Sequence, residues 1–173
     1  VDIRVTPQGT LNWNCQTHHC ALGRAGIRLN KREGDGATPH GTFELRRVLF
    51  RSDRLTRPQT ALTVDSINPT DGWCDDPGDP RYNMPVTLPY AGRHERLWRE
   101  DELYDLLIVI GFNDKPPVSG AGSAIFLHIS RSDLSPTDGC IALPLETLSI
   151  LLADCSPGDR LCVMPPEEAG TEG

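Results

Sequence analysis

The chain has 173 residues, 38% of them hydrophobic and 24% charged, with 16 Gly and 15 Pro, so we expect one turn-rich, strand-dominated domain spanning 1–173. No stretch approaches the ~20 consecutive apolar residues of a membrane span, and the first residues lack a hydrophobic secretion segment. The net charge of −7, with few aromatic residues among the basic ones, disfavours nucleic acid as a partner.

The first third of the chain alternates between apolar and polar residues, as strands do. Residues 3–5 and 10–13 flank a turn at 7–9 and together predict a hairpin. A polar, glycine-rich loop follows at 30–41, and residues 42–50 predict a long strand.

The middle of the chain carries a long segment rich in proline, aspartate and glycine. Residues 65–92 predict a loop of a length that is usually functional or mobile. The segment Glu95–Glu102 predicts a short helix, whereas the apolar runs 103–112 and 124–129 predict buried strands.

The last part of the chain predicts a helix and a final strand. Pro144 is a good first residue for a helix over 145–154, with Leu145, Leu148, Leu151 and Leu152 on one side. Residues 160–164 predict a strand, and the acidic tail 165–173 is expected to be disordered.

The chain holds six cysteines: Cys15, Cys20, Cys74, Cys140, Cys155 and Cys162. If one of them is a working thiol, the remaining five cannot all pair, which argues against a complete disulfide framework. Cys155 and Cys162 flank a turn and are the best candidates for a bridge. The cluster at 15–20 offers thiolate and imidazole groups, but without a second paired element we predict no metal site.

A histidine and a cysteine near the end of the chain suggest nucleophilic chemistry. His128 lies near the end of an apolar strand, and Cys140 follows Gly139 at a loop-to-strand junction. If the intervening loop folds back, the imidazole can take the thiol proton, and backbone amides beside the glycine can converge on an oxyanion. The alternative is a core histidine and a buried cysteine that acts as a small hydrophobe.

Two motifs resemble the L,D-transpeptidase catalytic domain, also called YkuD. The segment 34–43, Gly-Asp-Gly-Ala-Thr-Pro-His-Gly-Thr-Phe, resembles the family's G-D-x-x-T-P-x-G-x-F loop and strand. His128 followed by Thr137-x-Gly139-Cys140 resembles its active-site signature. The resemblance implies a mainly β (α+β) fold, a YkuD-like β-sandwich with a few short helices.

The resemblance also implies roles for individual residues. Cys140 would be the nucleophile and His128 the general base and later acid, with the amides around Gly139 and Cys140 as oxyanion donors. The partners would be two peptidoglycan stem peptides, a donor and an acceptor, and no cofactor is expected. Such a substrate implies the periplasm.

The chain departs from the family pattern at two positions beside the nucleophile. Asp138 stands where the family commonly has His, and Ala142 stands where it commonly has Arg. An ionised Asp138 would oppose thiolate formation unless it orients an imidazole or binds an amine. A substrate carboxylate would then need another arginine; the candidates are Arg46, Arg47, Arg93 and Arg131.

These departures bear on which L,D bond is cut. They resemble the proteobacterial branch that uses the L-Ala–D-Glu bond, rather than diaminopimelate–D-Ala. Trp73 and Tyr82 could shape that pocket, with the acidic pair Asp75 and Asp76 meeting the acceptor amine. Alternatively, the two aromatic rings could simply pin the loop to the core. Thr137 completes the set of candidate substrate-binding residues.

Two further functions stay open at the level of sequence. A hydrolase, either a carboxypeptidase or an amidase, would use the same Cys140 thioester with water in place of the amine. An inactive cell-wall-binding module would keep the fold alone, although the presence of both the thiol and the imidazole argues against it.

Overall fold

A computed structural model describes residues 1–166, and the predicted acidic tail lies outside the described residues from 167 onward. This part of the chain is mainly β, with one helix. Within it, no helix is long and apolar enough to cross a membrane.

The elements follow one another in chain order. They are β1 (Asp2–Thr6), β2 (Thr10–Trp13), β3 (Gln16–His19), β4 (Ile27–Arg28), β5 (Thr38–Pro39), β6 (Gly41–Phe50), β7 (Val64–Ser66), β8 (Asp71–Cys74), β9 (Pro85–Thr87), β10 (His94–Arg96), β11 (Leu106–Ile110), β12 (Phe126–Ile129), β13 (Ile141–Leu143), α1 (Leu145–Asp154) and β14 (Arg160–Val163). The predicted first hairpin, the long strand after the glycine-rich loop, and the two buried apolar strands are therefore confirmed.

Nine strands form the main sheet. Their order is β13-β12-β11-β6-β14-β1-β2-β3, with β7 paired to β6. A three-stranded sheet has the order β10-β8-β9, and β4 pairs with β5. The parallel pairs of the main sheet are β1 with β14, β6 with β7, and β12 with β13.

The main sheet is covered on both faces, which explains the unbroken apolar run of β11. Leu106 and Ile108 belong to one hydrophobic cluster, whereas Leu107 and Val109 belong to another. Successive side chains of a strand point to opposite faces, so a strand buried on both faces has no polar positions. The second cluster includes Trp73 of the small sheet, which thus forms the second layer of a β-sandwich.

The small sheet lies where the sequence predicted a long loop and a short helix. The segment 65–92 contains β8, β9 and the end of β7 and is not one long loop, and the helix predicted over Glu95–Glu102 is wrong. Backbone pairing holds the start of that segment extended, because Glu95 lies opposite Trp73 in the antiparallel β10–β8 pair. Just beyond the strand, the Leu97 N–H donates to the Asp71 carbonyl.

Helix α1 has the predicted bounds and begins after Pro144. Leu148, Leu151 and Leu152 are fully buried against the first cluster. Leu145 was expected on the same side, but it is 38% exposed because it stands in the first turn, beyond the edge of the packed stripe.

All six cysteines are free thiols. The predicted Cys155–Cys162 bridge is therefore wrong. Cys155 is buried in the first cluster directly after α1, whereas Cys162 belongs to β14 and is only partly buried. Within residues 1–166, no group of three or more His, Cys, Asp or Glu side chains could hold a metal ion.

Helix α1 provides a test of this packing. We expect Leu148→Ala to lower the free energy of unfolding by about 2 to 5 kcal/mol, because the change leaves a cavity in a closed core. Ile150→Ala is the matched control, since Ile150 is 52% exposed on the same helix, and we expect a change within about 0.5 kcal/mol. Urea unfolding measures both, and equal losses would contradict the placement of the helix.

Candidate active site

A cleft of about 810 Å³ opens on the face of the main sheet that carries the second hydrophobic cluster. Cys140 and His128 both line it. The other walls come from the glycine-rich loop, from β10 and the residues after it, and from the segment between β12 and β13. The fold therefore brings the predicted thiol and imidazole to one cavity.

The parallel pairing of β12 and β13 accounts for this meeting. His128 lies opposite Ala142, and Leu127 lies opposite Ile141. Because side chains alternate, Cys140, one residue before Ile141, points to the same face as His128. Leu127 and Ile141 point to the other face, where they are fully buried in the first cluster.

The Cys140 sulfur is held by backbone groups. It accepts a hydrogen bond from the Phe126 N–H at 3.3 Å and donates its own proton to the Ala124 carbonyl at 3.2 Å. Burial, and after it the negative charge of Glu95, raises the pKa of the Cys140 thiol to about 12. The Cys140 side chain is therefore buried and protonated at rest.

His128 has a defined orientation. Its Nδ1 lies 2.8 Å from the Ile129 carbonyl oxygen, which can only accept, so Nδ1 carries the proton and Nε2 is left as a base. The ring of Tyr104 meets the imidazole edge to face at 5.2 Å. Burial lowers the pKa of His128 to about 4, so the imidazole is neutral at pH 7.

The turn before Cys140 is held by Thr137. Its hydroxyl donates to the Cys140 carbonyl at 2.6 Å and accepts the Gly139 N–H at 3.1 Å. Gly139 has a φ of 139°, and a Cβ there would lie 2.8 Å from the Ala37 carbonyl oxygen, so no side chain fits. The Gly139 amide would have to leave Thr137 before it could donate to an oxyanion.

The charge of Asp138 at the rim of the cleft is offset. Its exposed carboxylate pairs with Arg24, a residue that the sequence analysis missed. The Arg24 guanidinium lies over Gly36, where a Cβ would stand 2.5 Å from the Arg24 Cζ. The glycine of the first motif thus makes room for the cation that faces the second motif.

Asp35 of the first motif organises the loop that borders the cleft. It accepts hydrogen bonds from the backbone amides of Arg32 and Ala37, both at 2.9 Å, and from Lys31 at 2.5 Å. Burial opposes ionisation, but these hydrogen bonds hold the pKa of Asp35 below its usual value. Lys31 also lines the cleft.

Comparison with known proteins identifies the family. The L,D-transpeptidase catalytic domain (YkuD) matches residues 5–163. The chain belongs to this family. Its members are cysteine-dependent L,D-transpeptidases that act in peptidoglycan cross-linking.

One solved structure is similar to this L,D-transpeptidase domain. It is the crystal structure of the helical cell shape determining protein Pgp2 from Campylobacter jejuni, with a TM-score of 0.44 and 15% sequence identity over 96% of this chain and 48% of that chain. The domain thus spans about half the length of that protein. No curated protein sequence matches the chain.

Six of the predicted site residues line the cleft of this L,D-transpeptidase domain, and four side chains lie elsewhere. The residues at the cleft are Cys140, His128, Thr137, Asp138, Arg93 and Arg131. The side chains that do not line it are Arg46, Arg47, Trp73 and Tyr82.

Local partners explain why those four lie elsewhere. Arg46 is bound by Glu44 and, at 2.8 Å, by Asp114, and Arg47 lies 3.8 Å from Asp65. These carboxylates hold both guanidinium groups away from the cleft, so their assignment to the substrate is wrong.

The two aromatic rings are parts of the core. Trp73 donates to Asn83 at 2.9 Å and packs edge to face on Phe126 at 5.1 Å. The Tyr82 hydroxyl donates to Glu33 at 2.6 Å. Both rings are at most 6% exposed, which supports the interpretation that they pin the loop to the core.

Sequence reasoning also missed Glu95, Tyr104 and Glu33, which line the cleft. The sequence places Glu95 only at the start of a predicted helix. The strand His94–Arg96 consists of three polar residues, so no apolar alternation marks it in the sequence.

Thiol labelling tests the resting state of the sulfur. We expect iodoacetamide at pH 8 to modify the exposed Cys15 before Cys140, because Cys140 is buried and its pKa lies near 12. Peptide-mass mapping against time gives the order, and Cys15→Ser isolates the slower reaction. Modification of Cys140 first would contradict the protonated resting state.

The pH dependence of stability tests the burial of His128. The pKa of an unfolded histidine is near 6.5, whereas that of the folded His128 is near 4. Below pH 6.5 the unfolded chain therefore binds an extra proton, and the free energy of unfolding decreases as the pH is lowered. Between pH 7 and pH 4.5, the wild type should lose about 2.5 kcal/mol more unfolding free energy than His128→Gln. His40→Gln, at an exposed histidine, should follow the wild type in urea unfolding. Parallel losses in all three proteins would show that His128 titrates normally.

Proposed function

We propose that this domain is a peptidoglycan L,D-transpeptidase in which Cys140 attacks an L,D-peptide bond of a donor stem peptide. The acyl group is held as a thioester and passes to the side-chain amine of diaminopimelate on a second stem. The placement of Cys140 and His128 on one face of the sheet, at the wall of one cleft, carries this proposal. We further propose that the reaction takes place in the periplasm.

The acylation step needs a proton to move from sulfur to nitrogen. The Cys140 S–H turns from the Ala124 carbonyl to Nε2 of His128 as the sulfur bonds to the substrate carbonyl carbon. The C–N bond then breaks, and the leaving amine takes the proton from His128. Burial of both groups disfavours a separated thiolate and imidazolium, so we expect proton transfer to accompany C–S bond formation.

Backbone groups support this exchange. The Ile129 carbonyl holds His128 in the tautomer that leaves Nε2 free, and it stabilises the imidazolium that forms. The Phe126 N–H donates to the sulfur and so favours the developing thiolate. In this scheme the backbone supplies the group that orients the base.

Arg131 is our candidate for binding a carboxylate of the donor. Four other cations at the cleft are paired: Arg24 with Asp138, Lys31 with Asp35, Arg93 with Asp75, and Arg99 with Asp101. Within residues 1–166, the guanidinium of Arg131 forms no ion pair. It can therefore take the place of the arginine that is missing at Ala142.

We propose the L-Ala–D-Glu bond as the donor bond. The departures at Asp138 and Ala142 support this choice over the diaminopimelate–D-Ala bond. Asp138 is already paired with Arg24, so the rim beside the nucleophile differs in charge from one with His at that position.

Incubation with purified stem-peptide fragments, followed by mass spectrometry, tests the function. We expect the wild type to form dimers, Cys140→Ala to form none, and His128→Gln to be slower by about a hundredfold or more. Cys162→Ala, in β14, is the matched thiol control and should behave as the wild type.

The products also separate the alternatives. Shortened monomers without dimers would identify a hydrolase, no change would identify a binding module, and dimers from Cys140→Ala would rule out the thioester. Fragment sequencing of the dimer locates the bond that was joined.

A further inference from the structure

The cleft is lined by four carboxylates, and one of them differs from the others. Asp138 pairs with Arg24, Asp75 lies 3.1 Å from Arg93, and Glu33 lies 3.9 Å from the same arginine. The fourth is Glu95, whose side chain accepts a hydrogen bond from the hydroxyl of Tyr104. Within residues 1–166, Glu95 forms no ion pair.

Arg99 interacts electrostatically with Glu95 but forms its direct ion pair with another carboxylate. Arg99 lies over the Tyr104 ring at 5.0 Å and donates two hydrogen bonds to Asp101, at 2.8 and 2.6 Å. Burial raises the pKa of Glu95 to about 6, which leaves a half-buried carboxylate ionised at pH 7. A half-buried carboxylate without a direct ion pair is unfavourable, and a cationic ligand that bound it directly would relieve that cost.

Glu95 is close to both reactive groups. The Tyr104 hydroxyl donates to it, while the ring of Tyr104 touches the imidazole of His128 edge to face. On the sulfur side, the charge of Glu95 is the largest contribution after burial to the raised pKa of Cys140. Glu95, Tyr104, His128 and Cys140 also line the same cleft, so a cation bound at Glu95 would share that cleft with the thioester.

We propose that Glu95 binds the ammonium group of the acceptor next to the Cys140 thioester and accepts the first proton that this group loses. This inference rests on the proposed function. It gives the transfer reaction a specific advantage over hydrolysis, because water has no charge for Glu95 to hold.

The proton balance of the transfer step shows why such a carboxylate helps. An ammonium gives up two protons when it becomes an amide nitrogen. Glu95 takes the first and passes it to solvent, and the neutral amine then attacks the thioester carbonyl carbon. As the C–S bond breaks, the second proton reaches the Cys140 sulfur by way of His128.

The acidic pair Asp75 and Asp76, which the sequence suggested for binding the acceptor amine, already has other partners. Asp75 is bound by Arg93, and Asp76 accepts the Gly78 N–H at 2.9 Å within its own turn. The assignment of the acceptor amine to Asp75 and Asp76 is therefore replaced by Glu95.

Competition between two amines tests the proposal. The protein is incubated with stem-peptide fragments, either alone or with hydroxylamine, a nucleophile that is neutral at pH 7 and traps thioesters as hydroxamates. In Glu95→Gln, we expect dimers to fall at least tenfold and shortened monomers to rise. Hydroxamate should stay at the wild-type level or exceed it, because removing the negative charge of Glu95 eases ionisation of Cys140. Retained hydroxamate also shows that the variant is folded and forms the thioester.

Further variants make the result decisive. Glu100→Gln, at an exposed carboxylate in the same connection, is the matched control and should give wild-type products. Glu95→Asp keeps the negative charge, but its side chain is shorter by one methylene group, which moves the carboxylate away from the bound ammonium. Its dimer yield should therefore lie between those of the wild type and Glu95→Gln.

Dimer yields within twofold of the wild type in both Glu95 variants would overturn the role of Glu95. Absence of hydroxamate from the wild-type protein would instead overturn the Cys140 thioester itself.

Discussion

Parallel pairing between β12 and β13 determines where the reactive groups of this domain meet. Leu127 and Ile141 lie opposite each other and face the closed core, and this leaves His128 and Cys140 to face the cleft. A slip of one residue along β13 would reverse its faces, turning Cys140 into the core and Ile141 toward water. The packing of two aliphatic side chains on one face of the sheet thus fixes the positions of the thiol and the imidazole on the other face.

At rest, this site holds two neutral groups and not an ion pair. Burial raises the pKa of Cys140 and lowers that of His128, so both shifts oppose separation of charge. The sulfur meanwhile has backbone partners on both sides, in Phe126 and Ala124. Such a thiol is shielded from oxidants and electrophiles at rest. In the proposed reaction, the cost of charge separation falls on the acylation step.

The sequence was sufficient for the features that repeat a short pattern or match a motif. Examples are the bounds of α1, the long strand β6, and the placement of Cys140 and His128 in one cavity. Local pattern failed where a distant partner decides. Glu95 is extended because it pairs with Trp73 in the small sheet. Arg46 does not line the cleft, because it binds Asp114, which lies far along the chain.

The contact between Gly139 and the Ala37 carbonyl joins the two segments by which the family is recognised. One segment borders the entrance to the cavity, and the other carries Cys140. With 2.8 Å between that carbonyl and the position of a Cβ, no side chain fits between the two backbones. Their close approach therefore depends on glycine at position 139, and any larger residue there would have to separate the entrance loop from the turn beneath the sulfur.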